Sequence, residues 1–452
     1  MIFGCGVERS RDSCWDAHQQ ACRWGTPQWN PMAASVFDSQ IFHFKALYDI
    51  HRWYPTLSDM TPCTTWRDIT PSEAQSIVRA YQHFAGMGRR HLEERGPLDN
   101  VLQKIKDMVQ EIEIAEGGFF IRLGSRSPKD SVMGGSEVSR QAFAEHLRTL
   151  APSLEKATKN NIMEAALVSS FRSLQVHDPA VALKLLTSSE RVYMDLLRSL
   201  EFDPECCNTK LVIREFVSTL DPRMEFRCFV FDGQMTAISQ YINNVFVEEI
   251  GQNAEFIAEL ILSFFGDLRP MFCYRFAVLD VVVDVEGESV TIIEVNPLTP
   301  SAGGSLFSWN MDRRTIQGGC DLWGDLDHWE QHAAGHALVP HKGDPTKMRV
   351  SYRLPPFIGE LKTQVPGGPF CVFRFLRMPN PNVSAATIEA MSALWREPSI
   401  SPAEEEVSDS GPGSPDEKEA EDASEPAPPS SSQSGDMAST PSSANRRRCT
   451  IM

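Results

Sequence analysis

Paired cysteine spacings are missing from this sequence. Its eleven cysteines include an adjacent pair, Cys206–Cys207, but no C-x-x-C, which excludes a zinc-ribbon set or a thioredoxin-type motif. No secretory leader is expected either, because MIFGCGVERSRDSCWD turns polar after a handful of residues. Free thiols in a reducing, cytoplasmic setting are therefore expected. No apolar run approaches the roughly 20 residues that cross a bilayer, and the most apolar helical stretch, Phe256–Phe265, is interrupted by Glu259. No internal repeat is found. Basic residues are scarce, with 43 Lys and Arg against 60 Asp and Glu, a net charge of −17. That argues against direct nucleic-acid binding, because phosphate contacts need cations. Ten acidic residues and one lysine lie between Glu404 and Glu425, so much of the excess sits there. Such a surplus suits a basic partner surface.

What is present is enough for a full core: 452 residues at 42% hydrophobic content. Residues 1–39 are irregular. Helical periodicity covers Phe37–Tyr54, which Pro55 should end, and Pro71–Arg89, with Thr70 as N-cap and Glu73 in the first turn. Further helices are expected at Asn100–Ala115, Ser139–Leu150, Ile162–Leu174, Ala180–Leu186, Glu190–Leu200, Asn253–Phe265 and Ser384–Trp395. Strands are expected at Phe119–Leu123, Leu211–Val217, Glu225–Phe231 and Met235–Tyr241, with Asp232-Gly233 as the hairpin turn, and in Met348–Leu361 and Pro369–Leu376. Helices first and strands later, with one helix between them, imply α+β or mixed α/β. The segment from Arg396 onward is Ser, Pro, Glu, Asp and Ala with almost no large apolar residue, a composition expected to be disordered.

Two stretches carry chemistry. Phe276–Val283 and Val290–Val295 flank a charged, Gly-containing turn and read as a β-hairpin. Asp280 lies on the first strand, and Glu294 and Asn296 at the end of the second, both on one side by alternation. Convergent oxygens suit Mg²⁺, although charges that merely mark strand ends would give the same pattern. The second stretch, Phe119–Leu123, runs into Gly124-Ser125-Arg126-Ser127-Pro128-Lys129-Asp130. This reads either as a phosphate-facing loop or as a solvated basic turn.

Several segments together resemble the cell division cycle protein 123 (D123) family, which has an ATP-grasp-like fold. They are Trp53-Tyr54-Pro55, FIRLGSRSPKD (Phe120–Asp130), the helix start at Ser188-Ser189, LVIREFV (Leu211–Val217) and EFRCFVFDGQMTAISQY (Glu225–Tyr241). IIEVNP (Ile292–Pro297), LFSW (Leu306–Trp309) and SYRLP (Ser351–Pro355) complete the set. The resemblance spans roughly residues 50–360 and implies a nucleotide between two subdomains. It divides the chain into an irregular segment 1–39, subdomains 40–205 and 206–361, an extension 362–396 and a tail 397–452. ATP and Mg²⁺ are the implied cofactors. Arg122 stands where the family has a phosphate-facing lysine, and Gly124-Ser125-Arg126 where it usually has Asn-Trp-Ser. Ser127 and Lys129 match the loop. Arg214, Glu215, Phe216 and Val217 fall on the hinge whose backbone meets adenine. Arg227 falls where it would face the phosphates; a strand residue paired with Glu225 or Asp232 is the alternative. Asp280, Glu294 and Asn296 fall on the three Mg²⁺ ligand positions, with Glu294 where Asp is common.

The resemblance implies an ATP- and Mg²⁺-binding assembly chaperone, most simply a monomer, that promotes assembly of the translation initiation factor 2 heterotrimer through its gamma subunit. An ATP-grasp ligase or kinase with an unknown acceptor is the alternative, and a degenerate scaffold without nucleotide is a third. Two features stand apart. His328, His332 and His336 would form one helical stripe, for zinc or as a solvated face. At the end, Arg446-Arg447-Arg448 precede Cys449-Thr450-Ile451-Met452, a farnesyl-type C-a-a-X box. Three arginines add on the order of 3 kcal/mol at an anionic surface, so partial membrane association is expected. An N-terminally tagged Cys449→Ser variant should then leave the membrane fraction that the parent partly occupies. Identical partitioning of the two would mark the box as idle.

Overall fold

Local chemistry sets the first long helix. Thr70 accepts from the Glu73 amide (3.3 Å), and the Glu73 carboxylate accepts from the Thr70 amide (2.7 Å), a closed capping box ahead of Pro71–Phe84. The helix stops sooner than expected, because Gly86 takes a left-handed φ of 68°. The structure, a computed structural model, describes residues 41–87, 95–112, 117–131, 137–205, 209–319, 354–365, 368 and 370–394. The N-terminal segment 1–39, Cys206–Cys207, the histidine stripe, Ser351–Arg353 of SYRLP, the acidic tail and Cys449 lie outside them. By packing the chain divides after Glu397, and every described residue belongs to the first unit.

That unit is mixed α/β, with two sheets. Strands β1 (Thr64–Asp68), β2 (Phe119–Leu123) and β3 (Lys210–Glu215) form an antiparallel sheet in the order β1-β3-β2. Phe119, Ile121, Leu123, Leu211 and Ile213 point to one face and bury against helices Pro71–Phe84, Arg95–Glu111, Pro179–Thr187 and Glu190–Phe202. Each such side chain contributes about 1.5–3 kcal/mol. The opposite face carries Arg122, Val212 and Arg214.

The second sheet comprises β4 (Glu225–Phe231), β5 (Gln234–Gln240), β6 (Ala277–Asp284), β7 (Ser289–Pro297), β8 (Ile358–Gln364) and β9 (Phe370–Leu376), ordered β7-β6-β4-β5-β9-β8. The β4–β5 turn places Asp232 (φ 52°) and Gly233 (φ 71°) in left-handed conformations, as a two-residue hairpin requires. Cys228, Leu279, Ile238 and Phe373 face helix Ala254–Leu268, while Phe229, Val278, Ala237 and Val372 meet Leu298, Phe307 and Ile316 on the other face.

Three expectations need correction. The centre strand of the first sheet, β3, comes from beyond residue 206. β8 crosses residue 361 and β9 pairs with β5, so strands assigned to a separate extension complete the second sheet. The helix over Phe37–Tyr54 breaks at Leu47–Asp49 rather than at Pro55, which lies inside helix Ile50–Leu57. The cause is tertiary: the Ile50 amide donates to the Gly124 carbonyl (3.2 Å), so it is withdrawn from the helical ladder.

Asp49 precedes that helix but makes no capping bond. Its buried carboxyl lies over Gly124, where an added Cβ would come within 3.1 Å of Oδ2. Burial pushes its pKa up to about 8, with Arg122 pulling the other way. The folded state therefore keeps a proton that the unfolded chain releases, and stability falls as pH rises toward 8. Asp49→Asn removes this term. Its stability relative to the parent should rise by about 1.4 kcal/mol per pH unit from the ordinary carboxyl range up to about pH 8, then level off. Denaturant titrations across that range would read it, and a pH-independent difference would contradict the assignment.

Candidate functional site

The hairpin of β6 and β7 contains one extra residue. Val281 pairs with Ile292, but Asp280 pairs with Glu294, so Ile293 is a bulge. Without it Glu294 would stand on the opposite face from Asp280, because one step of register inverts every side chain. The bulge also frees the Ile293 carbonyl, which accepts from Arg214 Nη1 (2.8 Å). Arg214 Nη2 reaches Thr61 Oγ1 (2.6 Å), so this buried guanidinium on β3 ties the first sheet to the second.

A polar row crosses the second sheet. Cross-strand pairing aligns Glu294, Asp280, Arg227, Ser239, Arg374 and Glu360 on β7, β6, β4, β5, β9 and β8. Within it Arg227 grips Asp280 with two parallel bonds, Nε to Oδ1 and Nη2 to Oδ2, both 2.8 Å. Arg227 Nη1 donates to the carbonyls of Ala302 and Gly303, and its guanidinium lies 4.7 Å from the Tyr241 ring centroid. Gly303 has φ 79°, and a Cβ there would crowd Arg227 Nη1 at 3.1 Å. Farther along, Arg374 bonds Asp312 (2.8 Å) and Glu360 (2.9 Å) and stacks over Phe307, which fixes the Leu306–Asp312 loop to the sheet.

The loop after β2 is fastened separately. Asp130 accepts from Ser189 Oγ (2.6 Å) and from the Arg191 amide (2.9 Å) at the start of helix Glu190–Phe202. Arg126 holds Asp195 farther along that helix at 3.1 and 3.3 Å. These anchors present Lys129, exposed, with its ammonium 5.4 Å from the Tyr241 centroid. Ser127 is buried beside it. Across the gap, Arg122 Nη2 donates to Glu294 Oε1 at 2.6 Å.

Electrostatics separate the two carboxylates. Burial opposes ionisation of Glu294, but Arg122 and then Lys129 outweigh it and hold its pKa down to about 2. Its contribution to stability is complete above the ordinary carboxyl range and is lost as pH falls through about 2. Asp280 goes the other way: burial raises its pKa, although Arg227 opposes the shift. Glu225, which lies two residues before Arg227, is pushed up to about 7 by burial, against Lys129.

The expected site residues therefore divide. Arg122, Lys129, Arg227, Asp280, Glu294 and Asn296 converge, with Asn296 Nδ2 donating to Asp280 Oδ2 at 3.2 Å. Arg227 pairs with Asp280 rather than with Glu225 or Asp232. Arg214 is a sheet-to-sheet tie. Phe216 is buried against Phe171 (4.8 Å). The Glu215 and Phe216 amides donate to Cys63 and Gly118, and the Val217 carbonyl accepts from Leu220. Tyr241 and Glu225 were overlooked as site residues, although both lie within the stretch that carries the resemblance. Arg126 and Asp195 left no sequence signal as a pair.

The donor set fits a hard cation. Asp280, Glu294 and the Asn296 amide oxygen offer oxygen atoms only, as Mg²⁺ prefers. Asp280 accepts three hydrogen bonds and Glu294 Oε1 one, leaving lone pairs on both carboxylates. Among the described residues no cluster of three His, Cys, Asp or Glu side chains is placed for a metal, so the third oxygen would come from Asn296.

Residues 161–330 match the model of the D123 family. Cell division cycle protein 123 of Yarrowia lipolytica is 27% identical over 172 residues, covering 38% of this chain and 45% of that protein. The translation initiation factor eIF2 assembly proteins of Dictyostelium discoideum and Danio rerio are 27% and 33% identical, covering 38% and 32% of this chain and 48% and 43% of theirs. The matches thus span less than half the length of these relatives. The structure of Cdc123 from Schizosaccharomyces pombe aligns with a TM-score of 0.40 at 20% identity, over 58% of this chain and 88% of that one. With the family's own model on residues 161–330 and these relatives beside it, the chain is similar to the D123 family over that stretch.

Proposed function

We propose that this chain is an assembly factor for eIF2 that binds ATP and Mg²⁺ between its two sheets and acts on the eIF2 gamma subunit. The observation that carries the nucleotide reading is the facing array: Asp280, Glu294 and Asn296 on one sheet, with Arg122 and the Lys129 loop brought against them. Three oxygens would hold the cation, and Lys129 would face the phosphates, with Arg227 behind holding Asp280 in place. The backbone at Glu215–Val217 would meet the base. Bound Mg²⁺·ATP would supply charge neutralisation across the gap and, by mass action, stabilise the closed arrangement of the sheets.

Support for assembly rather than group transfer comes from how the cations are engaged. Arg227 is committed to Asp280 and to two carbonyls, and Arg122 to Glu294. Guanidiniums held this way hold a structure together. Phosphoryl transfer instead needs cations placed on the charge that develops in the transition state. The names of the relatives in Dictyostelium discoideum and Danio rerio supply the target, eIF2.

Three readouts test the proposal. Mg²⁺·ATP should raise the melting temperature of the purified chain, and immobilised chain should capture the eIF2 gamma subunit. ADP release that depends on Asp280, without gamma-subunit capture, would move the reading to a ligase or kinase. Glu294→Gln keeps the side-chain shape and leaves Arg122 a hydrogen-bond acceptor. It should weaken Mg²⁺·ATP binding on the order of tenfold or more in calorimetric titration, and unchanged affinity would remove Glu294 from the ligand set. Glu294→Ala is the poorer probe, because it strands Arg122 as an unpaired buried charge at a cost of about 3–5 kcal/mol.

A further inference from the structure

A second cleft lies beside this array. It has a volume of about 400 Å³ and is bounded by the helical segment 41–46, helix Ile50–Leu57, the turn at Gly124–Arg126, helix Glu190–Phe202 and the end of β7. It shares the wall formed by Arg122, Glu294 and Asn296, but Lys129, Arg227 and Asp280 do not line it.

Its hydrogen bonding is incomplete in one direction. Trp53 and Thr209 both line the cleft and are only 2% and 6% exposed, yet Trp53 Nε1 and Thr209 Oγ1 have no partner among the described residues. A buried unpaired polar group costs about 1–3 kcal/mol, and two of them in one cavity point to a ligand that completes them. The indole N–H can only donate, so the missing group is an acceptor. Lys45, Arg126 and Arg198 also line the cleft. They lie close enough that Arg126 and Arg198, together with burial, lower the Lys45 pKa. Of the acids on the lining, Asp195 pairs with Arg126, Glu294 pairs with Arg122, and Asp49 keeps its proton at neutral pH, which leaves Glu201 against Lys45 and Arg198. Cations and ammonium or indole donors around a cavity of this size select an oxyanion.

We propose that this cleft is a second binding site, for a small molecule bearing a carboxylate or phosphate group that accepts from Trp53 Nε1 and Thr209 Oγ1 and is drawn in by Lys45 and Arg198. The site adjoins the nucleotide array through Arg122, Glu294 and Asn296, but the residues that take the anion are separate from it.

The test uses the full chain with ¹⁵N-labelled indoles, the Trp53 N–H resonance being assigned by its loss in Trp53→Phe. Inorganic phosphate and citrate are titrated separately, which distinguishes a phosphate from a carboxylate ligand. The Trp53 resonance should shift saturably with at least one of them. The double variant Lys45→Gln/Arg198→Gln, at two positions outside the sheet core, should weaken that binding by about tenfold or more, with Thr209→Val weakening it as well. Lys129→Gln, an exposed position of the nucleotide array, should leave it unchanged. No shift with either anion at millimolar concentration would overturn the proposal. So would a shift abolished by Lys129→Gln and retained by the double variant, since the anion would then sit at the nucleotide array.

Discussion

Arg227 and Asp280 face each other in the middle of a six-stranded sheet, and both are almost wholly withdrawn from water. Burying two charges is costly and becomes tolerable only when nearly every donor and lone pair is answered. Here the fork of Arg227 meets both carboxylate oxygens, Asn296 supplies a further donor to Asp280, and the Ala302 and Gly303 carbonyls take the remaining face of the guanidinium. These demands fix the local chain path. The turn after β7 must bring its carbonyls to Arg227, and Gly303 must have no side chain. Arg374 repeats the arrangement two strands away with Asp312 and Glu360, and holds the following loop against the same face.

The two sheets meet through arginines rather than through an oily layer alone. Arg214 crosses to the Ile293 carbonyl and Arg122 to Glu294, one row apart. An arginine at position 122 suits this task, because its planar fork can donate to the Leu123 carbonyl and to Glu294 at once. A lysine there would be a single charge on a flexible stem. Part of the cohesion across the gap is thus built into the chain.

Much of this was legible in the sequence. β2 and β4 fall at their expected bounds, and the capping box at Thr70 and Glu73 follows from three residues of spacing. The hairpin with Asp280 and Glu294 was legible as two apolar runs around a charged, Gly-containing turn. What could not be read was decided by tertiary contacts. No local pattern announces the bulge at Ile293, which answers to the Arg214 guanidinium arriving from the other sheet. The break before Ile50 depends on a carbonyl more than seventy residues away in sequence. Arg227 was recognised as a site residue, but its partner Asp280 lies on a strand paired only in three dimensions. Nothing in the sequence marks Trp53 Nε1 and Thr209 Oγ1, because an unanswered donor leaves no trace in composition.

The one parallel pairing among the described strands of the larger sheet, β5 with β9, has a consequence for how the molecule comes into being. β4, β5, β6 and β7 can pair with one another through short hairpins and near neighbours. β9 follows only after some 130 further residues of chain, and parallel pairing at such separation is slow because loop-closure entropy must be met first. During synthesis, then, a four-stranded sheet with β5 as an open edge would exist before Arg374 arrives. Until it does, Asp312 and the Leu306 loop lack their anchor. An edge of this kind is prone to wrong pairing, which makes completion of the sheet, rather than its nucleation, the vulnerable stage in the life of this protein.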